Sequence, residues 1–198
     1  MRHAFATTIV ALAAAVTVGC SDTRISVDAS AAGNTATARV ERGKYLVTMI
    51  GCNDCHTPLK MGSKGPEPDM TRFLSGHPEQ MGPLPAAKGQ GPWLWSAAAT
   101  NTAFSGPWGV SYAANLTPDQ NTGLGIWTED MFVNALRTGR HMGTSREILP
   151  PMPWPAFRNA SDDDLKSIYA YLRSIKPIVN HVPDPQIAAG PVATEEGK

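Results

Sequence analysis

Cys52-Asn53-Asp54-Cys55-His56 is the stretch from which the rest of this 198-residue chain is read. Two thiols three positions apart, with an imidazole directly after the second, form the attachment signal for c-type haem. The chemistry requires that spacing. Each thiol adds to one vinyl group of the porphyrin, and the two thioether bonds hold the macrocycle against the chain. His56 then falls at the iron as its proximal ligand. The second ring nitrogen is expected to donate to a carbonyl, which fixes the tautomer and raises ligand basicity.

Two other chemistries use a Cys-x-x-Cys pair. A redox dithiol sits in a pattern of alternating strands and helices, which is not visible here. A structural zinc site needs two further ligands. The only other cysteine, Cys20, lies in the leader. One covalent haem c, on Cys52 and Cys55, is therefore the expected cofactor.

The leader runs from Met1-Arg2-His3 through an apolar stretch, Ala4 to Val18, to Gly19-Cys20. The run is short for a membrane span and closes on small residues, as an export signal does. The Gly19-Cys20 junction resembles a bacterial lipobox, although Thr17 stands where leucine is usual. On this reading residues 1-19 are a lipoprotein signal peptide and Cys20 carries the lipid. The alternative is an ordinary signal peptide with an incidental cysteine. Either way the chain is exported, with a periplasmic, membrane-anchored location expected and the leaflet open.

Without residues 1-19 the chain carries 16 Lys and Arg against 17 Asp and Glu, with no basic or acidic run. Nucleic-acid binding has no support. Residues 20-38 are mostly Ala, Ser, Thr, Asn and Gly and read as a flexible tether, its ends roughly 20–25 Å apart by coil statistics. Residues 39-178 form the folded domain, and residues 179-198 an extended C-terminal tail.

Three helices are expected. The first runs from about Ala38 into the haem motif. The second begins after the N-cap Thr128 and stops at Gly139. The third has Ser161 as N-cap, Asp162, Asp163 and Asp164 in its first turn, and a buried face of Leu165, Ile168, Tyr169 and Leu172. Between them an insert at about 57-114 is rich in proline and glycine and keeps no helical period, so it reads as a long irregular segment. Its aromatic residues argue for packing. Trp108 and Tyr112 are expected to pack into the domain, and Trp93 and Trp95 to share one face.

The sixth iron position needs a second ligand. Met152 is the best candidate, in Leu149-Pro150-Pro151-Met152-Pro153-Trp154, because the prolines hold the backbone extended around one thioether. Met142 and His141, at the end of the second helix, are its rivals. His77 and His181 have no supporting context.

At this point the chain resembles the monohaem class I cytochrome c family, and within it the cytochrome domains associated with bacterial alcohol and aldehyde dehydrogenases. Three motifs carry the resemblance: Arg42 to Leu46 followed by Cys52 to His56; Asn115 to Asp119 followed by Thr122 to Thr128; and Leu149 to Trp154 followed by Asp163 to Leu165 and Tyr169 to Leu172. The resemblance implies a small all-α haem fold whose first and last helices cross near Gly43. It implies Cys52 and Cys55 as thioether links, with His56 and Met152 as axial ligands. Two departures stand out. The family often strings several such domains together, and residues 59 to 100 form a longer segment than the family suggests.

The expected function is that of a membrane-tethered periplasmic electron carrier, not an enzyme, working between a protein donor and a protein acceptor. A dedicated electron-transfer subunit of a periplasmic dehydrogenase is the first alternative. A haem enzyme with an open sixth position is the second, and Met152 argues against it.

Overall fold

The computed structural model describes residues 36-87 and 92-188. The leader, Cys20 and most of the tether lie outside the described residues, as do residues 189-198. In chain order the elements are α1 (Ala36–Met49), α2 (Cys52–His56), β1 (Leu59–Gly62), β2 (Gly65–Pro68), β3 (Ser96–Ala97), β4 (Ala103–Gly106), β5 (Gly109–Tyr112), α3 (Glu129–Thr138), α4 (Trp154–Phe157), α5 (Asp162–Ser174) and β6 (Gln186–Ile187).

The helix ends follow from their sequence. Thr128 Oγ1 accepts from the Met131 amide at 3.1 Å, and Gly139 closes α3 in the left-handed region at φ 69°. Ser161 Oγ accepts from the Asp164 amide at 3.1 Å, and three aspartates face the positive end of α5. The core lies where these helices meet α1. Val47, Phe132, Leu136, Leu165, Ile168 and Leu172 form it, together with Leu74 and Leu124 from the loops.

Helix α1 crosses α5 at Gly43. A Cβ there would lie 1.9 Å from the Ser167 carbonyl oxygen and 2.8 Å from Tyr171 Cβ. Only a hydrogen side chain lets the two backbones approach this closely. Arg42 reinforces the crossing from the surface, with Nε 2.9 Å from Asp164 Oδ1. Such an exposed pair contributes little beside the packing.

The expectation of an all-α fold is wrong. The 57-114 segment is not irregular: it supplies the antiparallel pair β1-β2 and three strands of a second antiparallel sheet, β3-β4-β5-β6, whose edge strand β6 comes from after α5. Both hairpins turn on glycine pairs. Gly62 faces Gly65 across Ser63-Lys64, and Gly106 faces Gly109 across Pro107-Trp108. Gly65 and Gly109 have φ of 120° and 105°, which other residues rarely adopt. At Gly109 a Cβ would also meet the Gln186 carbonyl at 1.9 Å, so β6 reaches β5 only because that residue is glycine.

The chain after α5 runs extended along the loops. Asn180 is fully buried, and its Nδ2 donates to the carbonyls of Ser75 and His77 at 2.7 and 2.8 Å. Its Oδ1 accepts from Arg72 Nη2 and the Glu79 amide at 2.8 and 2.9 Å. Among the described residues no helix is long and apolar enough to cross a membrane.

Replacing Gly43 with alanine should force α1 and α5 apart. A loss of about 1–3 kcal/mol is expected from overpacking of this kind. Thermal unfolding of Gly43→Ala against wild type measures it, and an unchanged midpoint would show that the crossing has room to relax.

Candidate haem-binding site

Helix α2 is a single turn that presents Cys52 and Cys55 at i and i+3, hence on one side. Gly51, in the left-handed region at φ 68°, reverses the chain between α1 and α2. Both cysteines are half-buried and unpaired, and Cys52 packs against the helical core. Burial pushes the Cys52 thiol up to about 11, with the Asp54 carboxylate adding to the rise. Burial, again with Asp54, raises Cys55 as well. A redox dithiol works through a lowered thiol pKa, so this environment argues against that chemistry. Among the described residues no group of three or more His, Cys, Asp or Glu is placed to hold a metal ion.

His56 ends the turn, buried to 8% exposure. Its Nδ1 lies 2.7 Å from the Ala114 carbonyl oxygen. A carbonyl only accepts, so Nδ1 carries the proton and Nε2 keeps its lone pair. Burial pulls the imidazole below its ordinary pKa, with the Ala114 carbonyl opposing, so the neutral ring is favoured. The backbone is fixed too, because the Gly76 amide donates to the His56 carbonyl at 2.8 Å. The donor set fits a covalently held haem: two thiols on one side of one turn, and a neutral imidazole whose Nε2 has no hydrogen-bond partner among the described residues.

The segment around Met152 lies between α3 and α4, and Met152 is half-buried against the helical core. Trp154 covers Gly139, where a Cβ would lie 2.3 Å from the indole. The Ser111 hydroxyl donates to the Pro150 carbonyl at 2.6 Å. His141 packs edge-on to Trp127 at 5.0 Å, its amide donates to the Arg146 carbonyl, and Met142 sits in the left-handed region at φ 55°.

His77 is a residue whose place the sequence did not reveal. It is fully buried, with Nε2 on the Gly82 carbonyl at 3.3 Å and Nδ1 on Thr102 Oγ1 at 2.9 Å. Nε2 therefore donates and Nδ1 accepts from the Thr102 hydroxyl. The ring lies against Tyr112 at 4.9 Å, and the His77 amide donates to the Ala113 carbonyl. His77 is thus a buried residue that holds the strand next to Ala114 through the Ala113 carbonyl. The signal that marks it is a histidine flanked by glycine and proline, Gly76-His77-Pro78, which reads as a turn and not as a core position.

Of the insert's aromatic residues, Trp108 and Tyr112 are half-buried. The Tyr112 hydroxyl accepts from the Leu84 amide and from Gln186 Nε2, both at 2.8 Å. Trp93 is 74% exposed and Trp95 42%, with Trp95 edge-on to Phe104.

No known family model matches the chain. Curated relatives do. The cytochrome c subunit of the quinone alcohol dehydrogenase of Gluconobacter oxydans is 29% identical over 81% of the chain, which spans 27% of that protein. The fructose dehydrogenase cytochrome subunit of Gluconobacter japonicus is 29% identical over 75% of the chain and 24% of its own length. The gluconate 2-dehydrogenase cytochrome c subunit of Pantoea cypripedii is 30% identical over 76% of the chain and 26% of its own length. The chain is thus related to cytochrome c subunits of bacterial dehydrogenases, and it spans about a quarter of the length of these relatives.

Proposed function

We propose that the protein is a periplasmic c-type cytochrome that passes single electrons between a dehydrogenase and an acceptor, itself without catalytic activity. The observation that carries the reading is the buried His56 ring, held through Nδ1 by the Ala114 carbonyl with Nε2 free, one residue beyond Cys55. The three relatives described above, each named a cytochrome subunit of a dehydrogenase, support it. When bound, the haem would supply the one-electron chemistry. The chain's part is to hold it by thioethers at Cys52 and Cys55, to orient His56, to bring Met152 to the distal side, and to keep water away with the core around Leu74 and Leu124.

A dehydrogenase is the proposed donor because the relatives serve such enzymes. Its substrate class does not carry over from their names. The anchor is the lipid on Cys20, which lies outside the described residues. It is proposed from the apolar leader closing on Gly19-Cys20. A site with an open sixth position and catalytic turnover is disfavoured by the proline-fixed Met152.

Met152→Ala should abolish the weak sulfur-to-iron absorption band in the red and lower the midpoint potential, while Met142→Ala should leave both in place. The opposite pattern in visible spectra and a redox titration would move the distal ligand to Met142.

Cys20→Ser should move the cytochrome from the membrane to the soluble periplasmic fraction with its haem spectrum unchanged. Fractionation of expressing cells checks this, and a wild-type protein already soluble in the periplasm would remove the anchor from the account.

A further inference from the structure

The segment that bears Met152 has little of its own to hold it. Pro150, Pro151 and Pro153 have no amide hydrogen to donate. The Ile148 amide on its N-terminal side donates to the Gly139 carbonyl, and on its C-terminal side the Pro153 carbonyl accepts from the Ala156 amide within the α4 turn. Between them, among the described residues, one hydrogen bond ties residues 149-152 to the rest of the protein. That bond runs from Ser111 Oγ to the Pro150 carbonyl at 2.6 Å.

Ser111 is 8% exposed and sits in β5 opposite Phe104. Its hydroxyl has one proton and two nearby carbonyls, Pro150 at 2.6 Å and Phe104 at 3.5 Å, so the proton goes to Pro150. The hydroxyl also accepts from Trp108 Nε1 at 3.3 Å, which turns its donor side toward the Pro150 loop. Three residues further on, the same chain supplies the Ala114 carbonyl to His56 Nδ1. The connecting residue Ala113 is bonded on both sides, its amide to the Thr102 carbonyl and its own carbonyl to the His77 amide.

We infer that residues 111-114 are one strap that joins the two axial-ligand arms, and that Ser111 is the positioning residue for Met152. The inference rests on the proposed His56 and Met152 ligation and deepens it. A thioether is a weak ligand whose bond to iron depends on how firmly its loop is held, so the hydroxyl acts on the iron through the Pro150 peptide.

The test uses the full-length holoprotein with matched haem content. Ser111→Ala is compared with Ser105→Ala, which removes a hydroxyl from the same hairpin, one that accepts from the Ala87 amide at 2.9 Å. Ser111→Ala should weaken the sulfur-to-iron band and lower the midpoint potential. It should also speed hydrogen exchange about five- to tenfold at the Ile148 amide, which closes the loop on the Gly139 carbonyl, the equivalent of one buried hydrogen bond. Ser105→Ala should do none of these. A Ser111→Ala protein whose band, potential and loop exchange match those of Ser105→Ala overturns the inference, whatever happens to its melting temperature. A band that survives Met152→Ala overturns instead the ligand assignment on which it rests.

Discussion

The structure turns on one hydrogen bond, 2.7 Å long, from the Nδ1 of a buried histidine to the Ala114 carbonyl. An imidazole that must offer Nε2 as a lone pair has to keep its proton on Nδ1, and a backbone carbonyl is an acceptor that cannot reverse. The carbonyl must therefore be brought to the ring and held there, and much of the fold does this. Ala113 is locked between the Thr102 carbonyl and the His77 amide, and the Leu116 amide is tied to Leu74. Asn180 clamps the 75–77 loop from behind with both hydrogens of its amide. A buried amide with all its polar groups satisfied fixes one arrangement of three distant segments, which a purely apolar contact would not do.

The three long helices were legible in the sequence, and the short α2 and α4 and the sheets were not, for a physical reason. Thr128, Gly139, Ser161 and the aspartates after it are local signals: each cap is satisfied within three or four residues of itself. The Gly43 crossing came from the family resemblance, and the close approach to Ser167 explains it. The strands are two to four residues long and lie in a segment studded with proline, which hides alternation. Their stability comes from partners far away, such as β6 against Gly109, and no local pattern encodes that. The two Gly-x-x-Gly turns, Gly62 to Gly65 and Gly106 to Gly109, were the available signal. The missing sheet is also why the proximal partner could be expected only as some carbonyl: Ala114 is reached through β5.

The same distinction applies to the site. Cys52, Cys55 and His56 are adjacent in sequence, so their chemistry can be read directly. Met152 is almost 100 residues away and is proposed from its prolines alone. Ser111 and His77 carry no motif, and their roles exist only once the hairpin is folded. The 57-114 region is thus a folded part of the domain that supplies the Ala114 carbonyl to His56, with Trp93 and Trp95 exposed. The chain spans about a quarter of the length of the three relatives, whose names describe whole cytochrome subunits of dehydrogenases.

The central claim is that the haem is covalent and single. Its most direct test is the intact mass of the mature protein after extraction in acid acetone, together with that of the double variant Cys52→Ala/Cys55→Ala. The account predicts that wild type keeps the mass of one haem and that the double variant loses it entirely. A wild-type polypeptide that comes through the extraction without the haem mass would contradict the account at its root.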